Sequence, residues 1–277
     1  MLRASAHPRR PIETGSQVSD LDLSCAGVSV RVRRQGAGKP LVFLHGVCGD
    51  EAWLPWLAEL AHDHEVFAIT HPGFGGSAVP EWLASTLDLA SFYQELLEQL
   101  DLQRVHIVGV DLGGWIALEM GAQTCTRLAA MTLVAPAGVH VAGARKADIF
   151  IVRPERLIRD LFVDPAVADA HWTRYQGASE TDRDNRLRDA ATAARLGWQP
   201  YFYRPGLKHW LHRIRIPVNL VWGAVDRMFA VEHAAPIAAL LPDARVEIVA
   251  ECGHLPHIEH QEAFVRGLRR FEEEVRR

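Results

Sequence analysis

Three side chains able to do covalent chemistry stand at equivalent points of the chain, each just past an apolar run of strand length. Residues 105–108 lead into Gly109-Val110-Asp111-Leu112-Gly113, residues 218–222 into Gly223-Ala224-Val225-Asp226, and residues 246–249 into Glu251-Cys252-Gly253-His254-Leu255-Pro256. A carboxylate, a second carboxylate and an imidazole in that order supply a nucleophile, an orienting acid and a base. The first segment is the G-x-S-x-G pattern of a nucleophile held on a strand-to-helix turn, with Asp111 where Ser would stand. A turn that sharp forces strained backbone on its central residue and leaves no room for a Cβ at either glycine. Taken alone, the segment has a second reading, because Asp is a preferred N-cap for a helix starting at Leu112. A lone turn Asp or loop His is likewise most often just solvated. The weight comes from all three standing at strand ends, in order.

The elements that must position them are legible from periodicity. From Leu21 onward, short apolar runs alternate with segments of helical period, the pattern of an α/β domain built around a mostly parallel sheet. Strands are expected near residues 28–32, 41–44, 66–69, 105–108, 131–134, 218–222 and 246–249. Leu89, Phe92, Tyr93, Leu96, Leu97 and Leu100 keep one helical face apolar, as do Phe264, Leu268, Phe271 and Val275, which predicts helices covering the sheet. Across residues 139–215 helical signals replace strand signals. Leu157, Ile158, Leu161 and Phe162 form a stripe, Asp164 before Pro165 is an N-cap and first-turn pair, and Ser179 opens a third helical stretch. The expected organisation is a flexible N-terminal tail over 1–20, an α/β core over 21–138 and 216–277, and a helical lid (cap) over 139–215. Such an insert sits over the strand ends, where open α/β sheets bind ligands.

Composition sets the class. A chain of 277 residues, 48% hydrophobic and 23% charged, can bury a full core. Its net charge of -4 offers no basic field for phosphate backbones, so no nucleic-acid partner is expected. No run reaches the roughly 18 apolar residues of a membrane span, and the opening MLRASAHPRRPIETGSQ lacks the apolar stretch of a secretory signal. Pro8 and Pro11 would break an amphipathic transit helix there. These features predict a cytoplasmic protein with no membrane partner. Cys25, Cys48, Cys125 and Cys252 lie far apart with no C-x-x-C pair, which argues for reduced thiols and against a zinc site.

With these segments in hand, the chain resembles the α/β-hydrolase superfamily from about Leu21 to its C-terminus. The matching pieces are His45-Gly46 after a strand, HPGFGGS at 71–77, the elbow, VWGAVD at 221–226 and GHLPHIE at 253–259. LGGWIALEM and the later WLHRIRIPVNLVWG resemble bacterial lid-bearing hydrolases whose nucleophile is Ser, acting on esters or on carbon–carbon bonds of diketones. Asp at the elbow instead resembles epoxide hydrolases and dehalogenases. The resemblance implies the α/β-hydrolase fold: a mostly parallel sheet flanked by helices, with a helical lid inserted before the last strands. It also implies a cofactor-free triad of Asp111, His254 and Asp226, with main-chain oxyanion donors at Val47 and Leu112.

Ser and Asp at that point do different chemistry. A Ser alkoxide attacks an acyl carbon and leaves an acyl-enzyme, whereas Asp doing so would form a mixed anhydride while expelling a poor alkoxide. Asp suits displacement at a saturated carbon, giving an alkyl ester that His254-activated water hydrolyses while Asp226 orients the ring. Haloalkane dehalogenases usually carry Trp after the nucleophile and often Asn after His-Gly, and fluoroacetate dehalogenases carry Arg after the nucleophile. Leu112 and Val47 occupy these positions, which disfavours dehalogenation. Epoxide hydrolases draw a proton from lid Tyr, and the lid holds Tyr175, Tyr201 and Tyr203 as candidate substrate-binding residues. Their His-Gly-x-Pro pattern fails at Cys48. Epoxide hydrolysis is the favoured expectation, with dehalogenation as its alternative.

Other residues have plainer readings. Cys48 fills space beside the oxyanion segment, His257 yields the base role to His254, His71 stands where many relatives have Asp and braces a loop, and Ser77 is a turn residue. Eight Trp and the lid predict a pocket for a small, mainly apolar substrate, with no cofactor and no metal. A homodimer is compatible with the sequence. Three rivals stay open: Asp111 as a proton acceptor for elimination or isomerisation, a non-catalytic ligand-binding protein, and an engineered Ser-to-Asp replacement.

Overall fold

The computed structural model describes residues 17–48 and 53–275. Eight strands form one sheet: β1 (Ser19–Cys25), β2 (Val28–Gly36), β3 (Lys39–Leu44), β4 (His64–Ile69), β5 (Val105–Val110), β6 (Leu128–Val134), β7 (Val218–Gly223) and β8 (Ala244–Val249). Their order is β1-β2-β4-β3-β5-β6-β7-β8. Only the β1–β2 and β2–β4 pairs are antiparallel; every pair from β4 to β8 is parallel. This is the α/β-hydrolase sheet that the sequence implied. β5 and β7 are buried along their whole length, because a parallel strand covered on both faces must be apolar throughout. β2 instead alternates, with Val28, Val30 and Val32 inward. β1 was not among the strands expected from periodicity. It turns into β2 through Ala26 and Gly27, both at positive φ (48° and 78°), the backbone a two-residue hairpin requires. Most of the tail expected over 1–20 lies outside the described residues, and β1 begins within its last part.

Helices cover both faces. α2 (Thr86–Gln99) and α3 (Leu112–Gln123) pack on one, burying Leu89, Phe92, Tyr93, Leu96 and Leu97. α1 (Pro55–Leu60) and α9 (Gln261–Val275) pack on the other, where Trp56 meets Phe43 and Phe264 edge to face. Between β6 and β7 run α4 (Pro154–Leu161), α5 (Pro165–Gln176) and α6 (Glu180–Gly197). Their starts follow local rules: Asp164 accepts the N–H of Ala166, and Ser179 and Asp182 close a capping box. α6 docks on the turn at 71–77, with Gly75 N–H donating to Asp189 and the Thr192 hydroxyl to the Gly73 carbonyl, both at 2.9 Å. The short helices α7 (Ala234–Ala238) and α8 (Pro256–Glu259) flank β8 and the loop that follows it.

α9 is pinned to the sheet by one carboxylate. Glu272 accepts from His64 of β4 at 2.9 Å and from His106 of β5 at 2.7 Å. Burial alone would raise its pKa, but the two imidazoles outweigh burial and bring it down to about 2. Burial likewise opposes charge on His64, yet Glu272 and Asp63 raise its pKa. The signs define a window. The Glu272 contribution is full above its ordinary 4.5 and fades as pH falls toward 2, while that of His64 is full below its ordinary 6.5 and fades as pH rises through the folded value. Glu272→Ala should therefore lose about 3 kcal/mol in urea denaturation near pH 6, where the pair is fully charged, and less at pH 9.

Candidate active site

The elbow is built as its sequence requires. β5 passes into α3 through Asp111 at φ 49° and ψ −105°, a conformation that L residues adopt only under strain of about 1–3 kcal/mol. It is held by bonds on both sides: Asp111 N–H donates to Val134 O at 2.9 Å, and Asp111 O accepts from Trp115 N at 3.0 Å and Ala137 N at 3.1 Å. A Cβ at Gly113 would lie 2.1 Å from Leu44 O, and one at Gly109 would lie 2.7 Å from Gly113 O. The Asp111 side chain makes no capping bond to α3, so the N-cap reading does not describe it. Instead its Oδ2 accepts the N–H of Val47 at 3.2 Å, while Oδ1 is buried and has no hydrogen-bond partner among the described residues.

The other two strand-end residues meet each other. Asp226 Oδ1 accepts the N–H groups of Met228 at 2.7 Å and Phe229 at 2.9 Å, and Oδ2 takes the Nδ1–H of His254 at 2.8 Å. With Nδ1 so committed, the basic lone pair of His254 lies on Nε2. The His254 main-chain N–H donates to Leu161 O of α4 at 2.8 Å, an approach that leaves no room for a Cβ at Gly253. Burial disfavours charge on His254, but Asp226 and then Asp111 prevail and its pKa is raised. Asp111 is pushed up to about 6 by burial, against the pull of His254 and the Val47 N–H.

Asp111 and His254 line one cavity with Val47, Cys48, Ile149, Leu157, Leu161, Met228 and Phe229. It measures about 20 Å³, room for one water, with Ile149, Leu157 and Leu161 of the lid among its walls. The three lid tyrosines are not among its walls. Tyr175 stacks on Trp172 under Arg186, and Tyr203 lies against His140 and Lys146. Tyr201 is nearer: its hydroxyl donates to Ala147 O at 2.6 Å and accepts the N–H of Ile149, itself a cavity wall, at 2.9 Å. Leu112 is buried at the head of α3, its side chain away from the cavity walls. His257 is fully enclosed by Phe43, Trp56 and Phe264, and burial lowers its pKa to about 3. Ser77 Oγ is tied to the main chain of its own turn.

A family model described as the alpha/beta hydrolase family matches residues 41–267. The chain belongs to the alpha/beta hydrolase family. It is 29% identical over 258 residues to the dihydrolipoyllysine-residue acetyltransferase component of the acetoin cleaving system of Cupriavidus necator, covering 90% of this chain and 66% of that one. The chain thus spans slightly less than two thirds of that relative. It is 28% identical over 247 residues to the poly(3-hydroxyalkanoate) depolymerase of Ectopseudomonas oleovorans, covering 86% and 85% of the two chains. A solved membrane phospholipase A superposes with a TM-score of 0.80 at 25% identity, over 94% of this chain and 87% of the other.

Several residues at this site escaped sequence reading. Leu157 and Leu161 stood out only as a helical stripe, and Ile149, Met228 and Phe229 gave no signal in an irregular stretch. Lys146 gave none either. Its ammonium lies over the rings of Tyr203 and Phe229 at 5.6 and 5.5 Å and donates to Phe202 O at 3.3 Å and Val139 O at 3.4 Å. Burial lowers its pKa to about 8, against the attraction of Asp111. Among the described residues no group of His, Cys, Asp or Glu is arranged to hold a metal ion, and no helix is long and apolar enough to cross a membrane.

The buried carboxylate has a measurable consequence for stability. Because the folded pKa of Asp111, about 6, exceeds its ordinary 3.8, the native state holds the proton more tightly, and stability falls as pH rises between those values. That amounts to about 3 kcal/mol once Asp111 is ionised. Asp111→Asn should raise unfolding stability by about 2 kcal/mol at pH 8 and by little at pH 4, measured by urea denaturation at both.

Proposed function

We propose that this hydrolase acts on a small, mainly apolar molecule by displacement at a saturated carbon, through a covalent ester on Asp111, with epoxides as the substrate class. The observation that carries the reading is the division of labour between the two Asp111 oxygens. Oδ2 accepts the oxyanion-segment N–H of Val47, and Oδ1 is buried, with no hydrogen-bond partner among the described residues, on a side chain that lines the same cavity as His254. A desolvated oxygen is a strong nucleophile, and ionisation near pH 6 makes it available at neutral pH without a base.

In the first step Oδ1 forms a bond to a ring carbon of the epoxide, the carbon–oxygen bond breaks, and the emerging alkoxide takes a proton. Tyr201 suits that donation once its hydroxyl leaves Ala147 O. Burial raises its pKa to about 12, which is still well below the roughly 15.7 of water and so favours transfer to an alkoxide. In the second step His254 Nε2 takes a proton from water, whose oxygen attacks the Asp111 carboxyl carbon. Charge develops on Oδ2, already held by Val47 N–H and close to the head of α3, where Leu112 N–H is the second donor. Collapse breaks the bond from the carboxyl carbon to Oδ1, the diol departs with Oδ1 and the His254 proton, and the second proton of the attacking water passes from the new carboxyl group to the Tyr201 oxyanion, restoring both groups. An apolar substrate is in keeping with the lid-side walls, and with a polyalkanoate depolymerase and a phospholipase among the similar proteins.

His254→Ala should complete only the first step, so treatment with styrene oxide should add the mass of the epoxide to the intact protein and Asp111→Ala should show no adduct. A single turnover of the unaltered enzyme in oxygen-18 water, with enzyme in excess, should give unlabelled diol and a labelled peptide containing Asp111. Diol carrying solvent label in the first turnover would mean direct attack by water. Cleavage of activated esters with no reaction at epoxides would place the chain with ester hydrolases instead.

A further inference from the structure

The N–H that reaches Asp111 belongs to the peptide between Gly46 and Val47, and a buried chain of hydrogen bonds ends on the carbonyl of that same peptide. Each link has a defined direction. His71 main-chain N–H can only donate, and it meets His45 Nε2 at 3.0 Å, so Nε2 is bare and the His45 proton is on Nδ1. His45 Nδ1–H then donates to Gly46 O at 2.8 Å. His71 Nε2 meets His45 O at 2.9 Å and must be its donor, which leaves His71 Nδ1 to accept the hydroxyl proton of Tyr93. The two imidazoles lie 3.7 Å apart between ring centroids, with Phe74 edge-on to both, and His45, His71 and Tyr93 are all buried.

We propose that His45 and His71 are positioning residues for the second step: through fixed neutral tautomers they aim and polarise the Gly46–Val47 peptide, whose N–H holds the Asp111 oxygen on which the hydrolytic oxyanion forms. A peptide whose carbonyl accepts a hydrogen bond is a better donor at its N–H, because bonds in series polarise one another. A peptide gripped at its oxygen also cannot swing its N–H out of line. A neutral His45 is needed, since a proton on its Nε2 would set it against the His71 main-chain N–H. Burial first, and then His45, keep His71 well below the ordinary imidazole range. The sequence showed His71 only as a loop brace; the link from it to the nucleophile runs through a peptide bond and is invisible in residue spacing.

The proposal rests on the covalent reading above, and two measurements separate their fates. In rapid-quench single turnovers with styrene oxide, His71→Phe should alkylate Asp111 within about twofold of the unaltered rate. Ester hydrolysis should slow by on the order of 10-fold to 100-fold, less than the ~10²–10³ lost when an oxyanion donor is removed. His71→Gln, which can restore a donor to His45 O, should recover most of the loss, and Tyr93→Phe, a milder change, should slow hydrolysis by about threefold to tenfold. Equal loss in both steps, or wild-type hydrolysis in a folded His71→Phe, overturns the proposal. The second measurement needs no substrate: long-range nitrogen-15 NMR of the imidazoles should place the proton on Nδ1 of His45 and Nε2 of His71, and His71→Phe or Tyr93→Phe should shift the Val47 amide. Other tautomers, or an unmoved Val47 amide, overturn it. If no adduct ever forms on Asp111, the covalent reading fails by itself and the NMR result still decides the positioning.

Discussion

A carboxylate buried on a strained turn is the constraint to which the rest of this structure answers. Asp111 pairs a positive φ with burial of both oxygens, and neither condition survives without support. The support is local and steric: bare glycines at 109 and 113 let Leu44 O and the first turn of α3 press against the elbow, and main-chain bonds from β6 and the loop after it hold the peptide. Hydrogen bonding would normally offset burial of a carboxylate, yet among the described residues only Oδ2 receives a bond. Burial of this half-satisfied group is what raises its pKa.

The lid and the triad share atoms. The Asp226 loop uses two N–H groups, from Met228 and Phe229, to hold the carboxylate, and the same loop pairs with the lid strap through Ala147 N–H to Met228 O at 2.8 Å and Ala230 N–H to Arg145 O at 3.0 Å. On the other side, Glu259 accepts Val163 and Asp164 N–H of the lid at 2.6 Å each and Gly253 N–H of the His254 loop at 2.7 Å. Since Leu161 O also receives His254 N–H, α4 bears directly on His254. The lid is therefore tied to the orientation of the imidazole through contiguous contacts, a physical route for coupling between site and lid.

Much of the sheet was legible because a buried parallel strand has to be apolar along its length, and β5 and β7 leave no other reading. β1 was missed although Leu21, Leu23 and Cys25 alternate with Asp20, Asp22 and Ser24, because the run is short and its polar positions hold Asp and Ser, which read as turn residues and not as strand formers. The elbow was legible from its glycines, since close approach of backbone leaves a mark on residue type. The cavity walls were not: Ile149, Met228 and Phe229 sit on irregular backbone with no period to reveal which way they face. The lid tyrosines show the converse limit. Residue type nominated all three, but geometry ties only Tyr201 to a wall of the cavity, and even its hydroxyl is engaged with main chain.

The same geometry bears on why Asp stands in surroundings whose text resembles Ser hydrolases. In acyl transfer the oxyanion donors must be free for the carbonyl oxygen of the substrate, because that oxygen acquires the charge. Here Asp111 Oδ2 already occupies the Val47 donor. A substrate ester would have to displace the enzyme's own carboxylate oxygen to use it, leaving that oxygen buried without a partner. Displacement at saturated carbon makes no such demand, since the charged oxygen of its second step is Oδ2 itself, held by the same N–H before, during and after the ester exists. On the proposed reading, Asp in place of Ser changes which molecule the oxyanion site serves, from the substrate to the enzyme's own carboxylate.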